Sequence, residues 1–467
     1  MSTTFSPKRA RVLDPNQPVR SLSIAFWLWK AIVLVVIISC PGLGYDTSSS
    51  LLPYQGNGSV DVISAETKHA SLSLPLKFVR WDSIYFAHIG QIGYVFEQEW
   101  AFSYAYCHLV STLSSFLFRS NDSSGAVGFA VAGVALSHLA HYLSVLALYR
   151  LSVNVFGHAS ERTRLVSFLS AALHIVCPAG AFLSAPYMEP LFSFLNTTGF
   201  YIYSSSQVDL SKGNSSLSHA KLLLSGCFFA LATAIRSNGV LSGILFAYDA
   251  LRLSFGIVTR RSVWTASVRL CFVIISGCVV ALGLIIPQYL AYRTYCMNEA
   301  ISRPWCQSLV PSIYGWVQGH YWGVGFLRYW TVSNIPLFLL ALPMLVILFL
   351  SSFWAVSADI PFPTFSSSCK VASALSAGPA APLLTQLSIA QFILTAMALT
   401  SYHVQIINRI SSGYPLWYWY LASQIFGASE RNLPVLKYSS PFMVIVQAMV
   451  IYALVQAVLF GSFLPPA

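Results

Sequence analysis

Charged residues are scarce in this 467-residue chain, where Asp, Glu, Lys and Arg together account for only 9% of the sequence. Soluble domains carry about 25% charged residues, so most of this surface faces something other than water. Apolar residues make up 56%, and apolar runs of roughly 18 residues or more recur along the chain. A membrane β-barrel would instead show short segments of alternating hydrophobicity. The sequence therefore predicts an all-α polytopic membrane protein.

Several common functional motifs are also missing. No C-x-x-C pair occurs among the nine cysteines, which argues against a zinc or thioredoxin-type site. The chain has no Walker loop, no H-E-x-x-H and no G-x-S-x-G. Its net charge of +11 does not indicate nucleic-acid binding, because the basic residues collect in short loops between apolar runs. We therefore expect no nucleic-acid partner, and no tight carboxylate cluster predicts a metal site.

The distribution of Lys and Arg predicts the topology, since basic loops tend to stay in the cytosol. Residues 1–20 form a basic cytosolic tail, residues 41–124 the first luminal loop, and residues 355–382 a flexible cytosolic linker. Residues 403–441 are predicted to be luminal before the last span. We expect one integral-membrane domain over residues 1–467. About ten spans follow from the apolar runs: 21–40, 126–149, 165–183, 186–203, 221–235, 240–251, 270–292, 335–353, 383–402 and 442–463.

Two kinds of covalent modification depend on this topology. Asn57 and Asn121 each begin an N-glycosylation pattern in the first luminal loop. Asn196 and Asn214 begin the same pattern, but they are predicted to lie in the membrane and the cytosol, so we expect neither to be glycosylated. Cys296 and Cys306 share a polar luminal loop and could form a disulfide there, although the sequence alone leaves this open.

Five polar clusters fall on the luminal side of the predicted topology, which favours a single cleft over ordinary polar loops. Such a cleft could transfer a sugar from a lipid phosphate. One carboxylate would deprotonate the acceptor hydroxyl, cations would hold the leaving phosphate, and aromatic rings would stack on sugar. A transporter could use the same residues. The clusters are Arg80–Glu99, Tyr187–Glu189, Arg236–Gly239, Tyr321–Arg328 and His403–Arg409.

The same segments resemble the GPI mannosyltransferase 2 family, the second mannosyltransferase of glycosylphosphatidylinositol (GPI) anchor assembly. Their order and spacing match the family over nearly the whole chain. The matching pieces are Arg80-Trp-Asp82 with Phe86 and His88-Ile89, Gly93-Tyr94, Glu97, Ala101-Phe102, Tyr187-x-Glu189, Arg236-Ser-Asn-Gly239, Tyr321-Trp-Gly-Val-Gly-Phe-Leu-Arg-Tyr-Trp330 with Pro336, and His403-Val-Gln-Ile-Ile-Asn-Arg409.

The resemblance implies a C-type glycosyltransferase (GT-C) fold in the endoplasmic reticulum membrane. It also implies transfer of the second, α1,6-linked mannose from dolichyl-phosphate mannose to the GPI glycolipid precursor, with inversion at the sugar. A small membrane partner subunit is expected from fungal members of the family, and no cofactor or metal is expected. The alternatives are a lipid or solute transporter and a non-catalytic membrane subunit of the same pathway.

The resemblance also implies roles for individual residues. Asp82 is the expected catalytic base, and the alternative is that it forms an ion pair with Arg80 that braces the loop. Arg236 and Arg328 are the candidate phosphate ligands, and the alternative is that they pair at helix ends. The full set of expected substrate-binding residues is Arg80, Trp81, His88, Glu97, Glu189, Arg236, Asn238, Tyr321, Trp322, Arg328, His403, Gln405 and Arg409. Within it, Glu97 and Glu189 would orient an arginine or acceptor hydroxyls, or would simply pair within the cleft.

Overall fold

The computed structural model describes residues 14–41, 45–46, 48, 74–118, 125–259, 263–297, 303–357, 382–427 and 440–465. Within these ranges the chain consists of α-helices joined by short 3-10 turns, and it contains no strand. The helices are α1 (Pro18–Ser39), α2 (Asp82–Ile92), α3 (Tyr104–Leu117), α4 (Gly125–Phe156), α5 (Glu161–Ile175), α6 (Met188–Ser211), α7 (Ser215–Ile235), α8 (Ile244–Val258), α9 (Val263–Tyr295), α10 (Ile313–Tyr321), α11 (Ile335–Ser357), α12 (Pro382–Thr400), α13 (Ile407–Ile410), α14 (Leu416–Gly427) and α15 (Ser440–Gly461).

Eight helices in the described part of the chain are long and apolar enough to cross a membrane, which confirms the all-α polytopic class. They are α1, α4, α7, α8, α9, α11, α12 and α15. The two other predicted spans, 165–183 and 186–203, contribute α5 and α6. Both carry many buried serines, and α6 also buries Glu189 and Asn196. These polar residues lower the hydropathy of α6, but they face the protein interior, because α6 packs against both α4 and α7.

Helix α9 approaches α7 closely because two glycines lie at their contact. A Cβ atom at Gly226 would lie 3.0 Å from the backbone oxygen of Ser276, and one at Gly283 would collide with the backbone of Ala230. Without side chains at these positions, the two helix backbones can nearly touch. One face of α9 is thereby held against the interior of the bundle, where it lines the cavity described below.

The prediction of a luminal stretch over residues 403–441 is wrong. Residues 416–427 form α14, which is buried inside the bundle against α5 and α11. Its residues Trp417 and Trp419 have no solvent exposure. The helix has only 12 residues, so its apolar run is too short to be recognised as a membrane-embedded element from sequence.

This extra helix reverses the direction of the last span. Helix α15 runs parallel to α1, since Cys40 at the end of α1 donates a hydrogen bond from Sγ to the backbone oxygen of Val458, 3.5 Å away. Gly461 at the end of α15 also packs on Ile37 and Cys40. Residues 462–465 therefore lie at the same end of the bundle as Asp82 and the cavity, whereas the sequence placed them on the opposite side.

The loop features have different outcomes. Cys296 and Cys306 form a disulfide with a Cα–Cα distance of 5.6 Å. Asn196 is fully buried and donates a hydrogen bond to the Gly413 backbone oxygen, so this site is closed to modification. Asn214 is exposed and precedes α7. Asn57, Asn121, residues 1–13 of the basic tail and residues 358–381 of the linker lie outside the described residues.

Candidate active site

A cavity of about 540 Å³ opens at the end of the bundle where α1 and α15 finish. Its walls are formed by segments far apart in the sequence. They are the first turn of α2, the start of α6, residues 233–238 at the end of α7, one face of α9, part of α10, residues 402–410, and Pro465. Of the predicted site residues, the cavity brings together Trp81, Asp82, Arg236, Asn238, Trp322, His403, Gln405 and Arg409.

Asp82 begins α2, and its carboxylate lies at the cavity wall with 37% of the side chain exposed. The preceding residue, Trp81, has φ of +53°, an uncommon conformation for a residue with a bulky side chain. Such a conformation costs about 1–3 kcal/mol and persists where surrounding contacts impose it. Here the Trp81 ring packs edge-on against Phe463, with ring centroids 5.1 Å apart. The turn directs Asp82 towards the cavity.

Asp82 begins a row of alternating charges. Its Oδ2 accepts a hydrogen bond of 2.9 Å from Arg409 Nη2. Arg409 Nε lies 3.6 Å from Glu189 Oε1, and the same oxygen accepts a 2.7 Å hydrogen bond from Arg236 Nη1. Two carboxylates and two guanidiniums thus balance their charges within one connected group. Asp82 therefore pairs with Arg409, which also lines the cavity. It does not pair with its sequence neighbour Arg80, which was the alternative.

Glu189 is the fully buried member of this row, at the first turn of α6. A buried carboxylate is costly unless it is paired, and here it holds two arginines at once. Burial disfavours the charged form of Arg409, but the nearby carboxylates of Asp82 and Glu189 outweigh it and raise the pKa of Arg409. Arg409 is therefore cationic at every physiological pH. Glu189 does not line the cavity and holds the two arginines from behind it, so its position fits the expected role of orienting arginines rather than that of binding acceptor hydroxyls.

The Arg236 segment is fixed by its neighbours. Arg236 Nε donates to Asn238 Oδ1 at 3.4 Å, and Asn238 Nδ2 donates to Tyr414 Oη at 3.2 Å. Tyr414 returns a 3.0 Å hydrogen bond to the Asn238 backbone oxygen. Ser237 donates to Tyr314 Oη at 2.9 Å. These bonds hold the guanidinium of Arg236 at the cavity wall, where it can meet an anion.

The wall formed by residues 402–405 is aromatic and polar. His403 Nε2 hydrogen-bonds the Trp322 backbone oxygen at 2.9 Å, and its ring stacks on Tyr329 with a 4.7 Å centroid distance. Gln405 Oε1 accepts a hydrogen bond from Tyr329 Oη at 3.2 Å. This wall offers ring faces and amide groups of the kind that bind sugars.

Two predicted binding residues, Arg80 and His88, lie outside the cavity. Arg80 is fully buried with its guanidinium 4.6 Å from the centre of the Phe463 ring, and burial lowers its pKa to about 10. His88 Nδ1 lies 2.7 Å from Glu99 Oε1 and braces the loop between α2 and α3. Both predictions of substrate contact are wrong, because tertiary packing satisfies these side chains behind the cavity wall.

Three further predicted binding residues also lie outside the cavity. Glu97 Oε1 accepts a 2.6 Å hydrogen bond from Trp305 Nε1, and its Oε2 accepts one of 3.4 Å from Tyr321 Oη. These bonds connect the first loop to the disulfide-bonded loop. Arg328 is exposed and does not line the cavity, and its expected contact with phosphate stays a prediction.

Several cavity residues were missed from sequence. Ser103 and Tyr104 directly follow the Ala101-Phe102 pair, and Tyr402 directly precedes His403, so proximity to a recognised segment was the available signal. Other lining residues were missed as well: Tyr85 and Trp100 lie in or directly beside the Arg80–Glu99 cluster, Phe182 lies in the turn before α6, and Gln288, Tyr314 and Gln318 lie on α9 and α10. No group of three or more His, Cys, Asp or Glu residues that could hold a metal occurs among the described residues.

Comparisons with known proteins agree on one family. A profile of the family described as Mannosyltransferase (PIG-V) matches residues 24–467. The chain is 54% identical over 467 residues to GPI mannosyltransferase 2 of Aspergillus oryzae, covering 100% of both chains. It is 49% identical over 456 residues to GPI mannosyltransferase 2 of Aspergillus fumigatus, covering 98% of this chain and 95% of that protein.

One more distant relative and one solved structure also align with this chain. GPI mannosyltransferase 2 of Saccharomyces cerevisiae is 29% identical over 471 residues, with 96% of this chain and 99% of that protein covered. Among solved structures, the Archaeoglobus fulgidus oligosaccharyltransferase aligns with a TM-score of 0.43 at 11% identity, covering 94% of this chain and 55% of that one.

Proposed function

This chain belongs to the mannosyltransferase (PIG-V) family, and from that premise we propose that its cavity adds the second, α1,6-linked mannose to the GPI precursor. The chain is a membrane glycosyltransferase of GPI-anchor assembly. Its proposed donor is dolichyl-phosphate mannose, and its proposed setting is a GT-C fold facing the lumen of the endoplasmic reticulum. A small membrane partner subunit remains part of this proposal. A transporter is not favoured.

The observation that supports this reaction is the pairing of a partly exposed carboxylate with fixed cations in one cavity. Asp82 faces the cavity, while Arg236 and Arg409 lie along the same wall. A carboxylate in this position can remove a proton from a hydroxyl, and guanidiniums can hold a phosphate bidentately.

In the proposed step, Asp82 takes the proton of the acceptor's 6-hydroxyl as its oxygen attacks C1 of the donor mannose. The bond between C1 and the phosphate oxygen breaks on the opposite face of the sugar, so a β-linked donor gives an α-linked product. The lipid phosphate leaves as an anion and needs no general acid. Arg236 stabilises the negative charge that grows on it. Arg409 orients Asp82 through its hydrogen bond, and we propose that no metal takes part.

The test uses microsomes from a strain that lacks its own second mannosyltransferase and expresses this chain. The variant Asp82→Asn keeps the shape of the side chain but removes the base, so mannose transfer from labelled donor should fall at least about 100-fold. Glu161→Gln neutralises an exposed acid at the start of α5 and serves as the matched control. Normal transfer by Asp82→Asn would refute the assignment of the base.

Two further arms test the rest of the proposal. The strain without the enzyme should accumulate a precursor with a single mannose. Accumulation of a different glycolipid would mean that the acceptor has been assigned wrongly. Transfer should persist in excess EDTA, and its loss on chelation with recovery on adding a divalent cation would refute the metal-free step.

A further inference from the structure

A second, smaller cavity of about 290 Å³ lies beside the main one. We call it the side groove, and it is lined by Trp100, Tyr104, Leu290, Arg293 and Thr294. Trp100 and Tyr104 also line the main cavity, so the two spaces share a wall. Neither the family resemblance nor the proposed chemistry assigns a role to Leu290, Arg293 or Thr294.

One face of α9 connects the two spaces. Gly283 and Pro287 line the main cavity, while Leu290 and Thr294 line the side groove. These positions are spaced by four, three and four residues, so they form a single stripe along the helix. At a rise of 1.5 Å per residue, Arg293 lies about 8 Å further along the axis than Gln288 in the cavity wall. A ligand can therefore follow this stripe from the groove into the cavity.

The opposite side of the groove is a row of aromatic rings. Trp100 packs against Tyr94 with ring centroids 4.5 Å apart and stacks with Tyr104 at 6.1 Å. Tyr104 in turn contacts His108, with centroids 4.2 Å apart. Stacked rings of this kind form a flat wall on which sugar rings can lie, and amphipathic aromatics also favour the membrane interface.

Arg293 gives the groove a positive charge. The side chain is exposed, and it forms no ion pair with any residue that the structure describes. Two nearby carboxylates of the loop before α3 are already engaged, since Glu97 accepts from Trp305 and Glu99 pairs with His88. A cation that has no carboxylate partner in the described part of the chain, and that lies beside an aromatic wall, suits an anionic group carried by a lipid.

We propose that the side groove binds the lipid phosphodiester of the acceptor glycolipid, with Arg293 as its ligand. The inference rests on the proposed function, in which two lipid-linked substrates must reach Asp82. The donor phosphate binds at Arg236 in the main cavity, whereas the acceptor phosphate binds at Arg293. The acceptor's sugars run from the groove along α9 and past Trp100, which brings the terminal mannose to Asp82.

The test compares Arg293→Gln and Arg293→Lys with Arg150→Gln, which neutralises an exposed arginine in α4 outside both cavities. The KM for the single-mannose acceptor and the KM for the donor are measured separately, each at saturating concentration of the other substrate. Arg293→Gln should raise the acceptor KM about tenfold, because it removes a charge-assisted hydrogen bond in a partly exposed site. The donor KM and kcat should stay within about twofold, and Arg293→Lys should recover most of the affinity.

Glycerophosphoinositol serves as a soluble probe of the same contact. It should inhibit the wild-type enzyme competitively against the acceptor, and Arg293→Gln should be several times less sensitive. An acceptor KM equal to that of Arg150→Gln, or equal rises in both KM values, would overturn the inference while wild-type transfer still supported the proposed function. Absence of mannose transfer by the wild-type enzyme would instead remove the proposed function itself.

Discussion

Replacement of Arg409 by lysine should reduce catalysis although it keeps the charge. The guanidinium donates to Asp82 at 2.9 Å through Nη2 and approaches Glu189 at 3.6 Å through Nε. Its face also covers the rings of Phe182 and Tyr187, at 4.6 and 5.8 Å from their centres. A lysine ammonium is a compact point charge and cannot make the two carboxylate contacts with this planar geometry.

The size of the effect follows from these contacts. A hydrogen bond to a charged group contributes about 1.5–3 kcal/mol, and the lower end applies here because Asp82 is partly exposed. Loss of the ring contacts adds about 0.5 kcal/mol. A total near 2 kcal/mol corresponds to a fall in kcat/KM of about 30-fold. The variant keeps the Asp82 carboxylate itself, so we expect reduced activity and not its complete loss.

The assay is mannose transfer from labelled donor into the single-mannose glycolipid, at enzyme levels matched by immunoblot. Arg150→Lys is the control, because the same substitution is made at an exposed arginine outside the cavity. It should stay within about twofold of wild type. If Arg409→Lys retained as much activity as Arg150→Lys, the proposed positioning of Asp82 by Arg409 would be refuted.

Two further predictions concern the frame of the cavity. Phe463→Ala removes a fully buried ring that covers Arg80 and Trp81, and should lower both the unfolding free energy, by about 3–5 kcal/mol, and the transfer activity. Phe326→Ala, at a residue 74% exposed, should change neither quantity. An unaltered melting temperature for Phe463→Ala would contradict this reasoning. Cys306→Ser opens the disulfide loop and should lower the unfolding free energy in detergent by roughly 2–3 kcal/mol. Dithiothreitol should have the same effect on the wild type, whereas substitution of the exposed Cys227 should have no such effect.

The sequence predicted the helical class and most of the charged cavity residues, because these features depend on local patterns. Asp82, Arg236 and Arg409 each lie in a polar segment flanked by apolar runs, and the topology placed all three at one face. The sequence could not show that Glu189 connects the two arginines. That connection depends on where α6 packs, and the residues concerned are 47 or more positions apart.

The failures share a physical cause. His88 and Arg80 look like binding residues when only polarity is read, yet His88 pairs with Glu99 and Arg80 is fully buried against Phe463. Local polarity does not reveal which partner satisfies a side chain. The wrong direction predicted for α15 has a different cause. The short segment that forms α14 looks like an aromatic loop in the sequence, and only its packing shows that it is a buried helix.

The parallel pair formed by α1 and α15 affects how a newly made molecule becomes active. Trp81 and Asp82 emerge early from the ribosome, but Phe463 and Pro465, which complete their surroundings, emerge almost 400 residues later. Contacts between such distant positions form slowly, since a very long loop must close first. During that interval the guanidinium of Arg80 has no Phe463 ring above it. The proposed catalytic site is therefore complete only after α15 has packed beside α1.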